Sequence, residues 1–185
     1  MDISGKKILI LATHGFEQSE LEVPRDRLKA AGATVDVIAP EKGEIKGWDK
    51  KDWGRPVKVD RTLDSVSADD YDAIVLPGGQ INPDLLRVNE DALALITAFN
   101  KQKKVIAAVC HAPWLLIETG IVKGRKATSY HSIKTDMINA GAKWEDKSVV
   151  TDQGIVTSRN PGDLEDFSKK IIEEVAEGRH QKRAA

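Results

Sequence analysis

Short apolar runs along this chain alternate with stretches whose apolar residues recur every three or four positions. Ile8-Leu9-Ile10-Leu11-Ala12 is apolar without a break, the pattern of a strand buried on both faces. Residues 35–39, closed by Pro40, and Ala73–Leu76, closed by Pro77-Gly78-Gly79, repeat it. Val105–Val109 is a further run and leads straight into Cys110-His111-Ala112-Pro113. Between these runs the period changes. Ser19-Glu20-Leu21-Glu22 fits a capping box, with Ser19 as cap and Glu22 reaching back. Leu21, Leu28 and Ala31 follow at helical spacing, and Gly32 marks a stop. Pro24 falls inside this segment, so the pattern predicts a kink or a later helix start. Ala92, Leu95, Ile96 and Phe99 predict a helix with one apolar face.

The remaining segments are less regular. Residues 43–56, rich in Gly, Lys and Trp, follow neither period. They read as a loop or hairpin excursion before a short strand at 57–59. Residues 114–117 form an apolar helix-like stretch, and 133–140 read as a helix ending at Gly141. Strands at 149–151 and 155–158 flank the hairpin turn Asp152-Gln153-Gly154. Leu164, Phe167, Ile171 and Val175 predict a last helix, with Pro161 near its start and Gly178 at its end. Residues 179–185 read as a frayed, basic tail. No repeat and no long linker interrupts this order, which predicts one domain over residues 1–185. Strands alternating with helices predict an α/β fold, a mostly parallel sheet with helices on both faces.

Composition narrows the class. Hydrophobic residues make up 41% and charged residues 31% of the 185 positions, ordinary values for a globular chain. A chain of this length buries roughly 70% of its unfolded surface, enough for a core without crosslinks. The formal net charge of −1 lacks the basic excess of a dedicated nucleic-acid binder. The single cysteine, Cys110, excludes an intrachain disulfide. The first apolar run is too short for a signal peptide, and nothing approaches the ~18 apolar residues of a membrane helix. These features predict a cytoplasmic protein with no membrane partner.

Chemistry concentrates around Cys110. A strand ends, the cysteine follows at once with small residues two before and two after, and a helix-like stretch begins. These are the mechanics of a nucleophile elbow, with Cys in place of Ser. Such a turn projects its side chain at the carboxyl edge of the sheet, where open parallel sheets bind ligands. The helix that follows would aim its positive end at the sulfur and lower the thiol pKa. His111 is the neighbouring candidate base. Gly78 and Gly79 follow another buried strand, and the Gly79 N–H with the His111 N–H could form an oxyanion hole. Glu17 lies just past the first strand, where a carboxyl could hydrogen-bond the sulfur. His14, Trp114 and Tyr130 are further pocket candidates, and Trp48 and Trp53 read as interface or lid residues. His14 and His131 have no metal-ligand spacing, so no metal site is predicted. No glycine-rich phosphate motif is present and no cofactor is implied.

Six segments in order resemble the PfpI-type intracellular protease/amidase family. This is a branch of the class I glutamine amidotransferase-like superfamily that includes the Parkinson-linked DJ proteins and bacterial deglycases. The segments are Gly15-Phe16-Glu17, Val75-Leu76-Pro77-Gly78-Gly79, Ala108-Val109-Cys110-His111-Ala112-Pro113, Gly124-Arg125-Lys126-Ala127-Thr128-Ser129-Tyr130, Asp136-Met137-Ile138-Asn139-Ala140-Gly141-Ala142, and Thr157-Ser158-Arg159-Asn160-Pro161-Gly162-Asp163-Leu164. The resemblance implies a flavodoxin-like three-layer sandwich with Cys110 as nucleophile and Glu17 as the acid on its sulfur. It implies Gly79 as an oxyanion donor and His111 acting beside the cysteine. An acid from a neighbouring subunit completes the triad in such proteins; aligning on Pro83 puts Asp84 there, where the protease pattern has Glu. A homodimer or higher oligomer follows from this.

The resulting expectation is a cysteine hydrolase acting on peptide or amide bonds, or on glyoxal-type adducts of glycated proteins, in stress protection. A redox-response protein with an oxidisable Cys110 and little turnover is the alternative, and a non-catalytic binding protein of the same fold a third.

Overall fold

The computed structural model describes residues 1–178, so the tail expected at 179–185 lies outside the described residues. The chain runs β1 (Lys7–Leu11), α1 (Gln18–Ala30), β2 (Thr34–Ala39), β3 (Glu44–Asp49), β4 (Asp52–Lys58), β5 (Arg61–Thr62), β6 (Ala73–Leu76), α2 (Ile81–Leu86) and α3 (Glu90–Lys101). It continues with β7 (Val105–Val109), α4 (Pro113–Glu118), β8 (Lys126–Ala127), α5 (Lys134–Asn139), β9 (Lys143–Trp144), β10 (Val149–Asp152), β11 (Ile155–Ser158) and α6 (Leu164–Glu177). Seven strands form one sheet in the order β10-β11-β7-β6-β1-β2-β5. Every pairing in it is parallel except that of β10 with β11. This is the flavodoxin-like α/β sandwich, with helices covering both faces.

The alternation of strand side chains splits the core in two. Ile8, Ile10, Val75, Ala107 and Val109 join Leu21 and Leu28 of α1 and Phe167 and Ile171 of α6 on one face. Leu9, Leu11, Ile74, Leu76 and Ala108 join Ile96 and Phe99 of α3, Leu115 and Leu116 of α4, and Met137 of α5 on the other. Because the central strands are buried on both faces, they read as unbroken apolar runs rather than alternating ones. The chain leaves β1 for β2 on one side and reaches β6 on the other. The carboxyl ends of β1, β6 and β7 therefore meet at a topological switch point, where open α/β sheets form their crevice.

Local readings are corrected in three places. First, α1 begins at Gln18 with Glu17 at the cap position, and no side chain caps it. The Ser19–Glu22 capping box does not form, because Glu22 is engaged by Gln18 Nε2 at 2.7 Å and by Arg55 Nη2 at 2.5 Å. Pro24 lies within a helix that continues through it, its buried ring contributing to the packed face. Second, of the loop or hairpin expected at 43–56 the structure has the hairpin, and the short strand expected at 57–59 is not separate but the end of β4; β3 and β4 are antiparallel with Trp48 opposite Trp53, their rings edge to face at 5.6 Å. The register shift between Lys46 and Trp48 breaks the alternation that would have marked these strands. Third, the helix expected at 133–140 is a 3-10 turn over His131–Ile133 followed by α5.

Candidate active site

The loops after β1, β6 and β7 line an open cleft of about 530 Å³. Cys110 sits at its floor with φ +63, a left-handed conformation that an L residue adopts at a cost of about 1–3 kcal/mol. The surroundings over-determine it. The Cys110 N–H donates to Ser158 O at 3.0 Å, at the end of β11, and Cys110 O accepts from the Tyr130 N–H at 2.8 Å. The strand end, the positive φ and Pro113 at the start of α4 together make the sharp strand-to-helix elbow.

Gly78 and Gly79 allow the close approach this geometry needs. A Cβ on Gly78 would stand 2.6 Å from Glu20 Oε2, 2.6 Å from Val109 O and 2.7 Å from Cys110 Cβ. Gly79 has φ +76, and a Cβ there would meet Gly15 O at 2.5 Å and Glu17 N at 2.6 Å. Asn82, fully buried, braces the turn between them. Its Oδ1 accepts from the Thr13 N–H at 2.7 Å, and its Nδ2 donates to Pro77 O at 2.8 Å and Gly78 O at 3.2 Å. The backbone N–H groups of Gly79 and His111 act on the cysteine sulfur and favour its charged form.

The acid on the sulfur is Glu20, not Glu17. Glu20 is fully buried; its Oε2 accepts from the Gly78 N–H at 2.9 Å, and its carboxyl interacts with the Cys110 thiol. Burial, and then the nearby charge of Glu17, raise its pKa to about 8. Glu17 lines the cleft mouth, half-buried, with its own pKa raised by burial and then by Asp49. The physical reason is helical geometry. Glu17 caps α1 and stays at the rim, while Glu20 lies one turn in and shares the buried face with Pro24 and Leu28.

The expected effect of the following helix on the thiol is also corrected. α4 has six residues and starts three positions after Cys110, so it offers little dipole. Burial first, and then the charge of Glu20, push the Cys110 thiol up, while the Gly79 and His111 N–H groups pull it down. The two acids are coupled: the charge of Glu20 raises the thiol while the hydrogen bond with Cys110 lowers Glu20, and protonating Glu20 removes the charge that opposes the thiolate.

His111 lies against the sulfur. Its Nδ1 is 3.1 Å from Cys110 Sγ and its Nε2 is 3.1 Å from Ser132 Oγ. Tyr130 stacks on its face at 4.8 Å, and Trp114 meets it edge-on at 5.1 Å. Burial, then the charge of His131, lower its pKa. A neutral ring beside a thiol can take up and return a proton.

Among the residues singled out in the sequence, Cys110, His111, Glu17, Gly79 and Tyr130 meet in one cleft, with Gly78 packed behind it. Trp114 touches His111 but lines a neighbouring depression, together with Asp84. Asp84 projects from α2 and does not line the cysteine cleft of its own chain. His14 is corrected: it lines a separate hollow and accepts from the Lys46 N–H of the hairpin at 3.1 Å. Trp48 and Lys50 of the hairpin reach the cleft instead. Sequence reasoning missed Glu20, Asn82 and Ser132. Glu20 had a signal, since it stands at i, i+4, i+8 with Pro24 and Leu28, an acid in line with apolar positions.

Residues 6–174 match the DJ-1/PfpI family model. Deglycase PfpI of Pyrococcus furiosus is 45% identical over 166 residues, which are 90% of this chain and 97% of that protein. General stress protein 18 of Bacillus subtilis is 44% identical over 170 residues, 91% of this chain and 96% of that one. The crystal structure of Drosophila melanogaster DJ-1beta superposes with a TM-score of 0.83 at 31% identity, covering 96% of this chain and 95% of that one.

Proposed function

The chain belongs to the DJ-1/PfpI family, and from that premise we propose that it is a cysteine-nucleophile hydrolase, with Cys110 attacking an electrophilic carbonyl carbon. The observation that carries this reading is the elbow. A strained Cys110 holds its sulfur between His111 Nδ1, the Glu20 carboxyl and two backbone N–H groups. With the proton of the pair on Glu20, Sγ is the thiolate. Sγ bonds to the carbonyl carbon, and the C=O pair moves onto oxygen, facing the Gly79 and His111 N–H donors. Collapse expels the amine or other leaving group, which takes a proton through His111. Water then attacks the thioester, gives a proton to His111, and returns the thiolate with a carboxylic acid as product.

Names of the relatives favour adducts of glycated proteins as substrates, since Deglycase PfpI is among them. Peptide bonds remain the other member of the same chemistry. The test is turnover of glyoxal- and methylglyoxal-modified peptides beside unmodified peptides, for wild type and Cys110→Ser. Loss in Cys110→Ser with the fold intact is expected, and full activity in that variant overturns the reading. A redox role follows if peroxide adds oxygen to Cys110, read by intact mass, in a protein with no turnover on either class.

The proposal extends to a homodimer. α2 exposes Ile81, Leu85 and, just beyond it, Val88 to solvent, and Ile81 and Leu85 line the depression that holds Asp84 and Trp114. A second copy seated on this face buries these residues and brings its Asp84 toward the site.

A further inference from the structure

A histidine between two polar atoms has to choose a tautomer, and the partner of its outer nitrogen decides which. In this chain the outer nitrogen of His111 already has a partner. Ser132 Oγ lies 3.1 Å from Nε2, while Nδ1 lies 3.1 Å from Cys110 Sγ. We propose that Ser132 is a positioning residue: its hydroxyl donates to His111 Nε2 and holds the ring in the tautomer whose Nδ1–H points at Cys110 Sγ. A serine hydroxyl can donate or accept, so the choice falls to the other end of the ring. There the Glu20 carboxyl accepts from the Gly78 N–H through Oε2 and interacts with the thiol, while its Oε1 is buried with no hydrogen-bond partner, the environment of a carboxyl that holds its proton. With Glu20 as donor the sulfur is an acceptor, Nδ1 carries the proton, and Nε2 is left to accept from Ser132.

Two aromatic contacts hold the ring in this arrangement. Tyr130 covers one face and Trp114 closes an edge, with Trp114 fixed by its own Nε1–H to Asp136 Oδ2 at 2.9 Å. Ser132 is set by the 3-10 turn of His131–Ile133, whose Ile133 is buried. Tyr130 joins that turn to the elbow through its N–H on Cys110 O. The turn that carries Ser132 is thus tied to the elbow that carries Cys110 by one backbone hydrogen bond two residues before the serine. Asp84 of the same chain lines another depression, so within one subunit it is Ser132 that meets the outer nitrogen of His111.

The inference rests on the cysteine reading above but is tested without turnover. Full-length wild type, Ser132→Ala and Ser132→Thr are compared by ¹⁵N chemical shifts of the His111 ring and by the rate of Cys110 alkylation with iodoacetamide against pH. The other titratable groups facing the cleft are Glu17, Glu20, Lys50, Tyr130 and His131, and all are kept in each variant. Wild type and Ser132→Thr should show a protonated Nδ1 and the same alkylation profile. Ser132→Ala should lose the single tautomer and alkylate about three- to tenfold more slowly at neutral pH, the worth of one neutral hydrogen bond. An unchanged tautomer and profile in Ser132→Ala, or a protonated Nε2 in wild type, overturns the inference alone. Wild-type alkylation that begins only above the ordinary thiol range of about 8.5 removes the thiolate, and with it the cysteine reading itself.

Discussion

Glu20 and Cys110 share one buried contact, although they come from the first turn of α1 and from the loop after β7. Gly78 is what lets them meet, since its N–H fixes one carboxyl oxygen and its missing Cβ leaves the space between Glu20, Val109 and Cys110. A carboxyl placed there is pulled toward its neutral form by burial, and a neutral carboxyl is a donor to the sulfur rather than a rival charge.

This contact predicts distinct behaviour for the two glutamates. Glu20→Gln keeps a neutral donor and should retain Cys110 alkylation at pH 7, whereas Glu20→Ala should lose most of it. Glu17→Gln should change the rate by less than either, because Glu17 is at the rim. In wild type, the donor form of Glu20 is present below its pKa of about 8 and is lost as pH rises through it. A pH profile of turnover should therefore fall above that value in wild type and not in an active Glu20→Gln. Equal loss in Glu17→Gln and Glu20→Ala would return the acid to the rim.

Stability against pH counts the protons on the pair. The unfolded chain holds Glu20 near the ordinary glutamate value of 4.5, and the folded chain raises it to about 8. In Cys110→Ser only the carboxyl titrates, so between those values the folded state binds one more proton than the unfolded state. Stability then falls as pH rises through this window, with a slope approaching about 1.4 kcal/mol per pH unit. In wild type, a thiolate beside a protonated Glu20 carries one proton, the same number as an unfolded thiol and carboxylate. Its pair contributes no slope there. Chemical denaturation at several pH values measures both proteins. Parallel curves would mean that Cys110 keeps its own proton.

The sheet was legible because its central strands are unbroken apolar runs, and the elbow because Cys110 follows one of them directly. The site's acid was not, for a reason of phase. Locating a residue within a helix's first turn requires the helix start, and the apparent cap at Ser19 moved that start by two residues from the cap at Glu17. Glu17 at the rim and Glu20 in the core differ only by three positions, less than one turn. Ser132 was invisible for another reason: its role depends on a 3-10 turn packed across from the elbow, and no local pattern encodes that contact. His14 was misplaced because its loop turns toward the hairpin, whose broken register hid the strands.

The brace under the glycine turn gives a further prediction. Asn82 is fully buried and satisfies Thr13, Pro77 and Gly78 at once. Asn82→Ala takes the partner from the Thr13 N–H and from Pro77 O, while Gly78 O keeps the Glu17 N–H at 3.3 Å, at a cost of about 1–3 kcal/mol for each group left unsatisfied. Stability should drop by several kcal/mol in denaturant titration, and Cys110 alkylation should slow because Gly79 loses its support. Asn82→Asp keeps the acceptor to Thr13 but loses both donors, and should fall between. A change below about 0.5 kcal/mol in Asn82→Ala would show that the turn holds its shape unaided.

The last prediction concerns assembly. Leu85 is half exposed and Val88 is largely so, on and just beyond a helix that also carries Asp84. If this face is covered by a second copy, Leu85→Lys places a charge in an apolar contact and should convert a dimer to a monomer in sedimentation at micromolar concentration. The monomer should stay folded, since Leu85 makes no part of either core cluster. The role of Asp84 is then separable by mixing. Asp84→Ala and Cys110→Ser are each expected to be weak or inactive alone. Exchanged into one dimer, they leave one site with an intact Cys110 facing an intact Asp84, and activity should return. Recovery without exchange, or full activity in Leu85→Lys, would mean that each subunit works alone. A stable dimer that shows no recovery would leave α2 as the interface and return Asp84 to a solvent-facing role, with His111 oriented from within its own chain.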